Sequence, residues 1–170
     1  KKLTYPEDFA PCERAGFGID THAFGKAQDY IVLAGVRIPS GSGLVAHSDG
    51  DVLVHAVMDA LLSAAGLLDI GHYFPDTDAR FAGADSMKLL DSVMALVKKE
   101  GLAPMNVSVS VLAERPRLAP YIETMKEALA AALGISPSAV GIAAGTNEKL
   151  GYVGEGKGIT VYAVALLAKI

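Results

Sequence analysis

From His47 to Gly66 the chain reads HSDGDVLVHAVMDALLSAAG, an almost unbroken apolar run interrupted at four-residue steps by Asp51, His55 and Asp59. Ser48 and Asp51 have the S-x-x-D spacing of a capping box, which predicts a helix beginning near Asp49 and ending near Gly66. A helix that is apolar on most of its circumference has to be buried on most of it. Residues four apart lie about 40° round from one another, so the three polar residues form one drifting stripe. Burying imidazole and carboxylate groups without partners costs on the order of several kcal/mol. The fold must therefore bring partners to that stripe.

The 170 residues, 51% of them hydrophobic, suffice for one compact domain with an ample core. Net charge is −4 and no run of Lys or Arg occurs, which argues against a nucleic-acid groove or an anionic membrane surface as partner. The single cysteine, Cys12, excludes an internal disulfide and a Cys-based zinc motif, as suits a reducing compartment. Polar residues interrupt every apolar run short of a membrane span. The opening KKLTYPEDF holds no hydrophobic targeting region, and residues 1–13 are expected to form an extended arm ahead of a domain over 14–170.

Along the chain, RAGFGIDTHAF reads as a short strand from Ala15 to Ala23, weakened by two glycines. YIVLAGVRIPS reads as a hairpin turned around Gly35. After the His47–Gly66 helix, LLDIGHYFPDTDARFAGAD has no useful period and reads as a long functional loop. A helix over DSMKLLDSVMALVKK stops at Gly101, and NVSVSVLAE alternates with the period of a strand. Pro120 starts another helix that Gly134 ends, and VGIAAGTNE and GITVYAVALLAKI close the chain as strands. The expected fold class is α+β, a single domain with a mixed β-sheet and helices on one face. The other sheet face, expected to be rich in Val and Ala, then needs cover that self-association would supply.

Asp20 and His22 are two apart in a strand and so point to one side, while His55 lies on the buried helix. Two imidazoles and a carboxylate form a zinc set that leaves one tetrahedral position open, as a catalytic site requires. Asp59, one turn beyond His55, would orient the imidazole from behind. The alternative is a core His55 hydrogen-bonded to Asp59, with Asp20 and His22 as ordinary strand-end polars. His47 precedes the helix N-terminus, where an anion such as phosphate is favoured, or is simply a surface residue beside a cap. GTNEKLG at 145–151 could hold Mg²⁺ through Glu148, or could be a polar turn. Arg115 and Arg117 could face a phosphate or the solvent.

GFGIDTHAF, AHSDGDVLVHAVMDALLSAAGLLDIGHYFPDTD, AERPRLAPYI and NEKLGYVGEGKGI occur in this order and spacing. Together they closely resemble the 2-C-methyl-D-erythritol 2,4-cyclodiphosphate synthases, over about residues 14–168. The resemblance implies an enzyme of non-mevalonate isoprenoid biosynthesis that closes 4-diphosphocytidyl-2-C-methyl-D-erythritol 2-phosphate into a cyclic diphosphate and releases CMP. It implies Zn²⁺ on Asp20, His22 and His55, and Mg²⁺ or Mn²⁺ held through Glu148. It further implies phosphate contacts from His47, Ser48 and Thr146, and substrate contacts from Asp59, Asp69, Ile70, Gly71, Phe74 and Asp76. Ala113, Arg117, Leu118 and Ala119 would hold the cytidine end. It implies a homotrimer with sites at subunit interfaces, in a bacterial cytoplasm or a plastid.

Two departures stand out. Gly145 and Asn147 replace hydroxyl residues found in some members, and GEGKG replaces G-R-G-E-G, so that Glu155 and Lys157 reverse a charge order. A prenyl diphosphate ligand of the trimer axis, which some members bind through that Arg, is not carried over. Two rivals remain at this stage: a non-catalytic trimeric protein binding cytidine nucleotides or prenyl diphosphates, and a zinc phosphohydrolase.

Overall fold

The computed structural model describes residues 13–75 and 77–170, so residues 1–12 of the expected 1–13 arm, Cys12 among them, and Asp76 lie outside the described residues. In chain order the elements are β1 (Glu13–Lys26), β2 (Tyr30–Leu33), β3 (Val36–Pro39), β4 (Gly43–Leu44), α1 (Val52–Ala65), α2 (Ile70–Tyr73) and α3 (Ser86–Lys99). There follow β5 (Leu102–Leu112), α4 (Ile122–Leu133), β6 (Val140–Gly145), α5 (Gly151–Gly154) and β7 (Gly158–Lys169). Five strands form one sheet in the order β4-β1-β7-β5-β6. β7 pairs antiparallel with β1 and β5, and β6 pairs parallel with β5 across the α4 connection, so the sheet is mixed as expected. Strand β1 runs beyond the expected Ala15–Ala23 because its pairing with β7 continues down to Glu13 and its far end pairs with β4.

Helices α1, α3 and α4 pack on one sheet face. Helix α1 is the centre of the core: its apolar residues from Val52 to Ala65 are buried all round. It can lie so close because Gly16 and Gly18 face it. A Cβ at Gly18 would collide with the Ala56 carbonyl and the Ala60 amide, and one at Gly16 with the Ala60 carbonyl and the Ala64 amide. Two glycines that looked like weaknesses in a strand are the trough in which the helix rests.

The uncovered face differs from the sequence expectation. Val107, Val109 and Val111 of β5 and Val161, Ala163 and Ala165 of β7 point into the core, whereas Phe17 (54% exposed), Ile19 (50%), Tyr162 and Val164 face outward. Phe17 and Tyr162 touch there, ring centroids 6.2 Å apart. The hairpin around Gly35 is present, with Leu33 opposite Val36 and positive φ at both Ala34 and Gly35.

Helix α1 begins at Val52, not near Asp49, and Asp51 rather than Ser48 is its cap, accepting from the Val54 amide at 3.0 Å. The stretch read as a long loop contains α2 and a 3-10 turn over Ala79–Phe81. Three of its acids are caps: Asp69 accepts from the His72 amide, Asp78 from Arg80 and Asp85 from Met87. Among the described residues no helix is long and apolar enough to cross a membrane.

Candidate metal centre

Asp20 and His22 leave β1 on the side that Gly16 and Gly18 share, just past the trough, and His55 meets them from the first turn of α1. Their ligand atoms lie within 4.8 Å of one another. Asp20 Oδ2 is 3.0 Å from His22 Nε2 and 3.1 Å from His55 Nδ1. The two imidazoles meet edge to face, 5.1 Å between centroids. His22 Nδ1 is 3.2 Å from the Gly50 carbonyl oxygen. A carbonyl only accepts, so Nδ1 carries a proton, and in the neutral imidazole Nε2 turns its lone pair toward the carboxylate. A lone pair facing an anionic oxygen at that distance calls for a cation between them, and neutral imidazole and carboxylate are ligands that a zinc-type ion takes. The donor set therefore fits a divalent metal.

The electrostatics agree. Burial works to raise the Asp20 carboxyl, but the hydrogen bonds and charges of His22 and His55 outweigh it and hold it well below the usual carboxylate range. Burial works to lower His22, and the Asp20 hydrogen bond and charge together with the Gly50 carbonyl overcome it and raise the imidazole. Each partner stabilises the charged form of the other, so without an ion a proton on His22 competes for the place a metal would take.

The stripe on α1 resolves into three separate tasks. Asp51, fully buried, accepts from the Ala34 amide at 3.0 Å and the Gly35 amide at 2.7 Å, which pins the hairpin turn to the helix cap. His55 turns to Asp20. Asp59 does not orient His55: it accepts from the Ile70 amide at 2.9 Å and so docks α2 on α1. Burial raises the Asp59 carboxyl, the Ile70 amide offsets this in part, and the nearby Asp69 and Asp20 charges add to it. The imidazole's far nitrogen, Nε2, lies 3.1 Å from both Ser48 Oγ and Ser86 Oγ. Ser86 was not singled out by sequence, and only its position in the segment ADS, beside a helix start, marks it.

A cavity of about 400 Å³ opens over the triad, and His47, Ser48, Ile70, Gly71 and Phe74 line it as expected. The helix-terminus account of His47 fails, because α1 starts five residues later and its cap is occupied by Asp51. His47 reaches the cavity from the preceding loop, held by its carbonyl, which accepts from the Gly83 amide at 2.8 Å. Asp59 and Asp69 line a neighbouring cavity with Phe17, Ile19 and Ser63.

A third cavity of about 290 Å³ gathers Ala113, Arg117, Leu118 and Ala119 with Ile142 and Thr146. Glu148 is exposed, with φ of 49°, and stands outside the Asp20–His22–His55 cluster. Its Oε1 accepts from Thr146 Oγ1 at 2.9 Å. Glu114 braces this turn by accepting from the Asn147 amide at 3.0 Å, and the Asn147 side chain donates to the Leu150 carbonyl at 2.7 Å. Asn147 thus closes the turn. Glu155 and Lys157 form an exposed ion pair.

The sequence pattern of the YgbB family matches residues 13–168. The 2-C-methyl-D-erythritol 2,4-cyclodiphosphate synthase of Ectopseudomonas mendocina is 54% identical over 156 residues, which cover 92% of this chain and 99% of that protein. Among solved structures, the bifunctional IspDF of Campylobacter jejuni superposes with a TM-score of 0.90 at 38% identity, covering 100% of this chain and 48% of that one. The Plasmodium falciparum IspF in complex with CDP superposes with a TM-score of 0.80 at 31% identity, covering 92% of this chain and 96% of that one.

Proposed function

The chain belongs to the YgbB family, and from that premise we propose that it is a 2-C-methyl-D-erythritol 2,4-cyclodiphosphate synthase, a phosphorus–oxygen lyase of isoprenoid precursor biosynthesis. The substrate is 4-diphosphocytidyl-2-C-methyl-D-erythritol 2-phosphate. An oxygen of its 2-phosphate forms a bond to the β-phosphorus, the bond from that phosphorus to the bridging oxygen breaks, and CMP leaves with the oxygen. The observation that carries this reading is the convergence of two imidazole nitrogens on one Asp20 oxygen at the floor of a cavity lined by His47, Ser48 and Phe74.

An intramolecular displacement needs its ends held in line more than it needs a new nucleophile. Ser48, Thr146 and His47 donate to phosphate oxygens, while Ile70, Gly71 and Phe74 enclose the methylerythritol. Asp59 and Asp69 accept from its or the ribose's hydroxyls, and Asp76 is a further substrate contact. Ala113, Leu118 and Ala119 cradle cytosine through backbone groups, with Arg117 near a phosphate. Zn²⁺ on Asp20, His22 and His55, with Mg²⁺ or Mn²⁺ on Glu148, would neutralise the charge that gathers on the diphosphate oxygens.

The complete site is assembled in a homotrimer, one subunit giving the triad and its neighbour the cytidine cavity. The apolar face of Phe17, Ile19, Tyr162 and Val164 supports this, being what a threefold sheet-to-sheet contact would cover. The setting is the bacterial cytoplasm, or a plastid.

Incubation of the protein with the authentic substrate tests the reading. Cyclic diphosphate and CMP in equal amounts are expected; linear phosphate products, or nucleotide binding without CMP release, would overturn it. His55→Ala should lose zinc and reduce turnover by at least about 10³-fold, the scale of several kcal/mol of lost charge stabilisation.

A further inference from the structure

His55 is the one ligand of the triad that faces side-chain hydroxyls at its outer nitrogen, and a hydroxyl can donate or accept. The direction of those bonds decides which nitrogen carries the proton. Ser86, the first residue of α3, is fully buried. Its hydroxyl donates to Asp49 Oδ1 at 2.5 Å, and its amide donates to Asp49 Oδ2 at 3.0 Å. Asp49 is itself fixed, its amide donating to the Ala84 carbonyl at 3.0 Å and its Oδ1 accepting from the Asp51 amide at 3.1 Å.

A carboxylate only accepts, so the single proton of Ser86 is committed to Asp49. Ser86 Oγ can then meet His55 Nε2, 3.1 Å away, only as an acceptor. We propose that Asp49, acting through Ser86, is a positioning residue that locks His55 in its Nε2–H tautomer and so presents a bare Nδ1 to the metal. The proposal rests on the reading of Asp20, His22 and His55 as a metal centre, and adds the device that sets the ligand's polarity.

Two consequences follow from the same geometry. With Nε2–H shared between two oxygens, Ser48 Oγ is also an acceptor, from Nε2 at 3.1 Å and from the Gly50 amide at 3.3 Å. Its own proton is released toward the cavity that Ser48 lines, available to an anionic oxygen of a ligand. And the lock costs no charge near the ion, because the Asp49 anion is held one hydroxyl away from the imidazole.

The informative variant is Asp49→Asn, which preserves shape but can donate to Ser86 Oγ and free the serine proton to turn toward His55. Nitrogen-15 NMR of the metal-free, otherwise intact protein, at a pH where imidazoles are neutral, reads the His55 tautomer directly. The wild type should show a protonated Nε2, held there against the pull of the Asp20 carboxylate 3.1 Å from Nδ1, and Asp49→Asn a shift toward protonated Nδ1. Competition of Zn²⁺ against a chromophoric chelator should show affinity falling by about 10- to 100-fold. Ser86→Ala, which keeps the Asp49 anion but removes the relay, should shift the tautomer the same way and serves if the first variant does not fold. An unchanged His55 tautomer with unchanged zinc affinity in a folded variant overturns the proposal while leaving the metal centre standing. A wild-type protein that binds no Zn²⁺ at His55 overturns the metal centre itself, whatever the tautomer.

Discussion

The imidazole of His55 is gripped from both ends, by Asp20 at one nitrogen and by Ser48 and Ser86 at the other, whereas the carboxylate of Glu148 is met by the Thr146 hydroxyl two residues away. The first group sits where a strand, a helix and the start of a second helix meet. The second stands exposed on a turn with positive φ at Glu148 and Lys149. One ligand set is assembled inside a single chain before any ligand arrives. The other offers a carboxylate whose remaining partners have to come from substrate, solvent or another subunit. Pre-organisation belongs to the site that fixes geometry, and exposure to the one proposed to take a loosely held ion with its phosphates.

The strongest way to break the contrast is to move α1 off β1. Gly18→Ala places a methyl against the Ala56 carbonyl and the Ala60 amide, and main chain cannot step aside as a flexible side chain would. Zinc content should fall well below one ion per chain. Thermal unfolding should drop by several degrees, for about 1–3 kcal/mol of overpacking. A variant with full zinc and unchanged unfolding would show that the close approach is not what sets the centre.

Glu148→Gln sharpens the contrast from the other side. Zinc content and unfolding temperature should stay at wild-type values, because the residue is exposed and packs against nothing in the core. The Mg²⁺ concentration for half-maximal turnover should rise by about tenfold, equivalent to about 1.4 kcal/mol. Loss of zinc from this variant would show that the two regions are not independent.

The smallest effect concerns the pin between the hairpin and α1. Burial pushes the Asp51 carboxyl up to about 6 from an ordinary 3.8; the Gly35 and Val54 amides oppose this, the Asp49 charge adds to it, and the Ala34 amide opposes it. The folded chain holds that proton to a higher pH than the unfolded chain does. The contribution of Asp51 is therefore complete below about pH 4, declines as pH rises to about 6, and is level above that. Denaturant unfolding of the wild type against Asp51→Asn should show this slope removed over that interval. A variant whose pH dependence parallels the wild type would place the titration elsewhere.

The triad was legible in the sequence because its signals are local: a D-x-H pair on one side of a strand, and a histidine set in an apolar helix. Ala113, Leu118 and Ala119 of the third cavity became legible only through family resemblance, since small and apolar residues carry no chemistry of their own, whereas the charge of Arg117 already offered a phosphate or the solvent as its partner. Spacing misassigned the helix start, because Ser48 and Asp51 match a capping box while Ser48 turns to His55 and it is Asp51 that caps the helix, besides holding Ala34 and Gly35. Helix α2 and the 3-10 turn are too short to show a period, and their acids looked like solvated loop charge rather than caps. Asp49 and Ser86 are 37 positions apart, and nothing in the local pattern of either announces the other.

Gly16 and Gly18 carry a last implication, for which cations the protein can accommodate. Where backbone lies directly on backbone, the main-chain positions of Asp20, His22 and His55 are fixed against one another, and only their side chains can adjust to a guest. A guest that those side chains could not reach by rotating would have to lift the helix and disrupt the layer beneath it.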